Sequence, residues 1–261
     1  MDLLEKIASA KREEVKFRKL KNPADQLERS HFFKREMPSF YRALEEPGPS
    51  VIGEFKRKSP SRGDINQSAD IRNVAHGFQN AGVKAMSVLT DEKFFGGKNE
   101  DLLDAAESID IPILRKDFIV DEYQVLEAKS IGASAILLIG SILEKDEVEI
   151  FSKLAFSLGM DVLFEIHNLA DIEKMSLNIN IIGVNNRNLR TFEVTMDNSN
   201  DLLRHLPENS LKVAESGFQT PDDVRRFFNM GYDAFLIGET FMKASDPGSA
   251  AKTFIDKLNK V

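Results

Sequence analysis

The 261-residue chain contains no cysteine, which removes disulfide staples, thiolate nucleophiles and cysteine-ligated metals from consideration. Histidine is scarce too: His31, His76, His167 and His205 are scattered without metal-ligand spacing, so no metal site is expected. No apolar run approaches the roughly 20 residues needed to cross a bilayer, and no basic-then-apolar leader opens the chain. The expected location is the cytoplasm, with no membrane partner. Positive charge is also in deficit: 35 Lys and Arg against 42 Asp and Glu leave a net charge of −7. That balance opposes general affinity for nucleic acid, although a local basic cluster still suits a phosphorylated metabolite. No feature specifies an oligomeric partner.

With 42% apolar and 30% charged residues, the chain has the means to bury a core and stay dissolved. Residues 3–20 space Leu3, Leu4, Ile7, Ala8, Val15 and Leu20 among charged residues at helical intervals, predicting an amphipathic helix that Pro23 interrupts. Pro47-Gly48-Pro49 marks a break, so residues 1–48 form an N-terminal helical extension. Eight short apolar runs follow at Val51–Lys56, Ala85–Thr90, Ile111–Lys116, Ala135–Ile139, Val162–Ile166, Ile181–Asn185, Leu211–Glu215 and Ala234–Ile237. Their centres are apolar on both faces, as parallel strands covered by helices require. Helical patterns separate them. Asp121 with Gln124, Asp146 with Glu149, and Thr220-Pro221-Asp222-Asp223 are helix-start signals, and Gly159 fits a left-handed helix end. The α/β pattern predicts a single (β/α)8 TIM barrel over residues 1–261, with an open doubly wound sheet as its competitor.

Polar residues decide for the barrel. They recur at the C-terminal end of strand after strand, where barrel enzymes build their sites: Glu54 and Lys56, Lys116, Glu165, Asn185 with Arg187, and Glu215 with Ser216 and Gly217. Side chains two apart on a strand share a face, so Glu54 and Lys56 both point inward above Ile52. Lys116 follows an apolar run, and desolvation with neighbouring cations is expected to lower its pKa toward use as a general acid or a Schiff-base amine. A purely structural ion pair with Glu165 or Glu215 is the alternative. Glycine-bearing loops at Glu215-Ser216-Gly217-Phe218 and Gly238-Glu239-Thr240 occupy the positions where barrels commonly hold phosphate. The run Lys56-Arg57-Lys58-Ser59-Pro60-Ser61-Arg62-Gly63 adds cations and hydroxyls beside them, without interleaved aromatics for stacking nucleobases.

These residues resemble one family. Glu54-Phe55-Lys56-Arg57-Lys58-Ser59-Pro60-Ser61 is similar to the first-strand signature of indole-3-glycerol-phosphate synthases. Leu89-Thr90-Asp91 with Phe94-Phe95-Gly96-Gly97, Leu114-Arg115-Lys116-Asp117-Phe118-Ile119 and Gly183-Val184-Asn185-Asn186-Arg187-Asn188-Leu189 resemble its later signatures in order. Ala214-Glu215-Ser216-Gly217 and Leu236-Ile237-Gly238-Glu239 complete the match, and Lys98, Gly53 and Phe55 depart from it modestly.

The resemblance implies ring closure, decarboxylation and dehydration of 1-(2-carboxyphenylamino)-1-deoxyribulose 5-phosphate, giving indole-3-glycerol phosphate, carbon dioxide and water. It implies Lys116 as general acid, Glu165 as the proton carrier of dehydration, and Lys56 as holder of the carboxylate and phosphate-bearing substrate or donor of a later proton. Glu54, Asn185 and Glu215 would orient these groups and the sugar hydroxyls. Arg187 and Ser216 would support the substrate, with phosphate on Ser59, Gly217, Gly238 and Glu239 and Lys58 as a further binding cation. Phe118 and Leu138 would wall the aromatic ring. No cofactor is implied, because restoring the aromatic ring drives decarboxylation. A Schiff-base aldolase, a phosphoribosylanthranilate isomerase and a catalytically inactive phosphometabolite-binding barrel are the rival readings.

Overall fold

The computed structural model describes residues 3–187 and 197–260. Asn188 and Leu189, the end of one family-like motif, lie outside the described residues. Eight parallel strands close into one barrel: β1 (Ser50–Phe55), β2 (Ala85–Leu89), β3 (Ile113–Lys116), β4 (Ala135–Ile139), β5 (Asp161–Ile166), β6 (Ile181–Asn185), β7 (Leu211–Glu215) and β8 (Ala234–Ile237). Closure is made by β1, which pairs with β8 through Ile52 opposite Leu236 and with β2 through Glu54 opposite Ser87.

Strand alternation divides the core. Ile52, Ala85, Leu114, Leu137, Leu163, Ile181, Val213 and Leu236 fill the barrel interior, while Val51, Met86, Ile113, Ile136, Leu138, Phe164, Ile182 and Phe235 meet the surrounding helices. The open sheet is thereby excluded, since no barrel strand is left with an unpaired edge.

The helices begin largely where the side chains dictate. Thr220 caps Pro221–Met230, accepting from the Asp223 N–H while Asp223 returns the bond to the Thr220 N–H at 2.8 Å. Gly159 adopts φ +72° and turns the chain into β5. Two signals resolve differently. Asp121 caps Glu122–Ser130 through the Tyr123 N–H, but Gln124 accepts from Val120 instead of closing a box. The helix expected to start after Asp146 begins at Lys145, and Glu147 receives the Glu144 N–H at 2.9 Å. A carboxylate three residues past the cap makes that bond, and Glu147 holds that position relative to Glu144.

Ahead of the barrel, helix Leu3–Lys21 is followed by short helices at Ala24–Leu27, His31–Lys34 and Phe40–Leu44. Phe40 and Leu44 join the interior cluster, and Asp161 at the start of β5 accepts from Ser39 Oγ and the Tyr41 N–H. Ile7 joins the same cluster, so the extension contributes to the barrel core. No helix among the described residues is long and apolar enough to cross a membrane.

Candidate active site

Because every strand runs the same way, all eight C-terminal ends open at one rim, and a cavity of about 740 Å³ lies there. Glu54, Lys56, Ser59, Lys116, Phe118, Glu165, Asn185, Arg187, Glu215, Ser216, Gly217, Gly238 and Glu239 all line it.

Five ionisable groups form its floor. Lys56 Nζ donates to Glu54 Oε1 at 2.5 Å. Lys116 Nζ lies 3.3 Å from Glu165 Oε2 and 3.2 Å from Glu215 Oε2. The barrel register assembles them, with Glu165 level with Gly183, and Asn185 level with Glu215. Glycines leave the necessary room: a Cβ at Gly238 would sit 2.6 Å from Glu54 Oε1, and one at Gly183 would collide with the Glu215 carboxyl. Ser216 takes φ +70°, a left-handed conformation costing a non-glycine residue about 1–3 kcal/mol. Its Oγ donates to Asn185 Oδ1 at 3.0 Å, tying the loops after β6 and β7 together.

Three buried carboxylates facing two ammonium groups cannot all ionise cheaply. Burial pushes the Glu215 carboxyl up to about 8, with Glu165 adding to the rise and Lys116 opposing it. Glu165 moves the other way: burial opposes ionisation, but Lys116, His167 and hydrogen bonds from Glu215 and Asn185 hold it below the ordinary range. One proton thus rests on Glu215 and balances the cluster. Lys116 contradicts the sequence expectation. Burial lowers it, yet the surrounding Glu215, Glu165 and Glu54 outweigh burial and raise it above the usual lysine range. The neighbours that matter are anions from other strands, which local sequence did not place.

Two expected substrate contacts lie elsewhere. Leu138 packs in the outer cluster against the helices, while its neighbours Leu137 and Ile139 face the cavity. The parity of Ala135, Leu137 and Ile139 along one strand carried that signal. Lys58 is not a lining residue: its stem packs over Gly96 and its Nζ donates to the Lys93 carbonyl at 3.3 Å. In its place Arg62 lines the rim and reaches Glu239 Oε1 at 3.3 Å.

Other lining residues were missed. Leu3, Leu4 and Ile7 bring the N-terminal helix over the cavity, Phe95 lies 5.9 Å centroid to centroid from Phe118, and Lys243 adds a cation beside the β8 loop. Only the i, i+4 spacing of Lys243 from Glu239 marked it in sequence. Among the described residues, no group of three or more His, Asp or Glu is arranged to hold a metal ion.

The family model for indole-3-glycerol phosphate synthase matches residues 4–254. The chain belongs to the indole-3-glycerol phosphate synthase family. A relative of that name from Bacteroides thetaiotaomicron is 41% identical over 260 residues, covering 98% of this chain and 99% of the relative. Another, from Thermoanaerobacter pseudethanolicus, is 40% identical over 97% of each. Among solved structures, KGPDC from Streptococcus mutans superposes with TM-score 0.63 at 15% identity, covering 82% of this chain and 98% of the other. The 3-hexulose-6-phosphate synthase of Salmonella typhimurium follows at TM-score 0.58 and 13% identity, over 80% and 98%. These distant structures share the barrel fold, whereas the relatives near 40% identity share the family from end to end.

Proposed function

We propose that the charged rim converts 1-(2-carboxyphenylamino)-1-deoxyribulose 5-phosphate into indole-3-glycerol phosphate, carbon dioxide and water, a carboxy-lyase reaction of tryptophan biosynthesis. The observation that carries this reading is one ammonium, Lys116, held between two glutamates at the floor of a closed barrel mouth. Its proton is held firmly by the surrounding carboxyl groups of Glu215, Glu165 and Glu54. A substrate carboxylate and ketone entering this floor compete with Glu215 and Glu165 for the ammonium, bringing its proton to the ketone oxygen as the ring closes. Lys56, paired with Glu54, holds the substrate carboxylate that leaves as carbon dioxide. Glu165, oriented by Asn185 and by the protonated Glu215, then takes the C–H proton beside the hydroxyl, which leaves as water on a proton from Lys56.

The substrate phosphate rests against Ser59, Gly217 and the backbone of Gly238 and Glu239, with Arg62 keeping the Glu239 carboxylate aside. Arg187, whose Nη1 lies 3.3 Å from Ser61 Oγ, and Ser216 support the sugar end. Phe118, Phe95, Leu137 and Ile139 wall the aromatic ring. Residues 1–261 act as one domain in this reading, the first 48 covering the site of a cytoplasmic enzyme that binds no nucleic acid. Orientation of ring and ketone supplies several kcal/mol of the rate enhancement, and placed charges about as much again.

Adding the anthranilate-derived ribulose phosphate to purified protein is expected to produce indole absorbance, with turnover unchanged by EDTA. Lys116→Ala and Glu165→Gln are each expected to lose about 10²–10⁴-fold in kcat. Normal turnover in both variants would remove these residues from the chemistry. Borohydride trapping of a substrate adduct on Lys56 or Lys116 would instead establish the Schiff-base reading.

A further inference from the structure

His167 follows directly on β5, two residues beyond Glu165, and is not among the cavity-lining residues. Its Nε2 nevertheless stands 3.3 Å from Glu165 Oε1, the oxygen that Lys116 does not occupy. Its Nδ1 stands 3.3 Å from Ser141 Oγ. The direction of that second bond follows from a third. Ser141 Oγ donates to Asp171 Oδ2 at 2.8 Å, and the same carboxylate oxygen accepts the His167 N–H at 2.8 Å and Asn168 Nδ2 at 3.2 Å. A carboxylate has no proton to return, so the single hydroxyl proton of Ser141 is committed to Asp171. The hydroxyl oxygen can then only accept from Nδ1. This places a proton on Nδ1 and leaves Nε2 facing the carboxyl of Glu165: as an imidazolium Nε2–H donates to the Glu165 carboxylate, and as the neutral Nδ1–H tautomer Nε2 accepts from the protonated carboxyl.

We propose that His167 is the proton relay of Glu165, exchanging with solvent the proton that Glu165 takes from substrate. The relay rests on the role of Glu165 given under Proposed function. The transfer balances: the proton leaves Glu165 Oε1 for His167 Nε2, restoring the carboxylate and forming an imidazolium, which then loses a proton to water. Where the imidazolium forms, Glu165 lies on one side and Asp171 Oδ2 lies 4.0 Å from Nδ1 on the other. Lys174, near the same loop, is turned onto the carbonyls of Gly140 and Leu143.

The site needs such a route. Glu165 is almost fully buried between Lys116 and Glu215, and bound substrate covers the cavity side. His167 is 14% exposed in its side chain and Ser141 is exposed, so the chain of contacts leads from the buried carboxyl to bulk water behind the cavity.

The test compares His167→Asn and His167→Ala with wild type, measuring kcat, KM, the pH profile of kcat and the solvent deuterium isotope effect. Expected are a loss of 10-fold or more in kcat with KM within 2-fold, a changed acid limb of the pH profile, and partial recovery by added imidazole in His167→Ala. Ser141→Ala, which frees the tautomer without touching Glu165, is expected to lower kcat by a smaller factor. A kcat and pH profile unchanged in the folded His167 and Ser141 variants would overturn the relay. Loss of kcat without imidazole recovery or an altered isotope effect would also overturn it, leaving a packing role. Glu165→Gln, measured in parallel, separates the two ideas. If it keeps full turnover, the role of Glu165 has failed. If it is inactive while the His167 variants match wild type, the relay alone has failed.

Discussion

Glu215 and Glu165 are the same side chain on neighbouring sides of one ammonium, yet they titrate apart. Environment makes the difference, since Glu165 accepts hydrogen bonds that stabilise its charge and Glu215 keeps the shared proton. The consequence for stability has a definite sign. Unfolded, Glu215 ionises near the ordinary value of 4.5; folded, it does so near 8. The folded state therefore binds more protons across that interval, and this contribution to stability is full below about 4.5 and lost as pH rises through about 8. Glu215→Gln mimics the neutral form permanently. Its melting temperature is expected to match wild type near pH 4 and to exceed it by a margin that grows up to about pH 8; parallel curves across that range would show that folding does not shift the Glu215 titration.

The N-terminal helix shows what a single element does for the site. Ile7 and Lys11 share its buried face, where the apolar stripe predicted by sequence is broken by an ammonium. Lys11 Nζ lies 2.9 Å from Asp91 and 3.0 Å from Asp117, the residues following β2 and β3. Asp117 passes the contact to Arg115 at 3.1 Å, Arg115 to Glu127 at 2.6 Å, and Glu127 back to Arg18 of the same helix at 3.0 Å. The chain of charges staples the helix behind the strand that carries Lys116. Burial opposes ionisation of Asp117, but Lys11 and Arg115 prevail and hold it well below the ordinary range. Its contribution is thus present at neutral pH and lost as pH falls below roughly 4. Lys11→Met leaves Asp91 buried without its cation and is expected to cost about 3–5 kcal/mol in urea unfolding. Asp91→Asn added to it is expected to restore part of that loss. KM is expected to rise as well, because Leu3, Leu4 and Ile7 cover the cavity from this helix. A KM equal to wild type would separate the staple from substrate binding.

At the scale of the whole molecule, a ligand that binds only the closed barrel must stabilise it. The loops after β7 and β8, proposed to hold phosphate, lie side by side because those strands pair, and the loop carrying Ser59 joins them only when β8 has closed on β1. Inorganic phosphate at 100 times its dissociation constant is expected to add about 2.7 kcal/mol of stability. For a domain of this size that corresponds to a rise on the order of 5–10 °C in Tm. A Tm indifferent to phosphate, but not to equal ionic strength of chloride, would count against the cradle.

Strand count, barrel class and the strand-end charges were legible because each depends on local order: apolar runs of strand length, helix caps, and polar residues at fixed offsets beyond them. Thr220 capping its helix and Glu54 pairing with Lys56 two residues away are of this kind. What the tertiary structure alone decided involves partners far apart in the chain. It turned Leu138 outward, sent Lys58 across to Lys93, and put Lys11 between Asp91 and Asp117. It also surrounded Lys116 with carboxylates from β1, β5 and β7, reversing the expected direction of its pKa. A charge responds to whatever lies within a few ångströms, and in a closed barrel those neighbours are set by strand register rather than by adjacency along the chain.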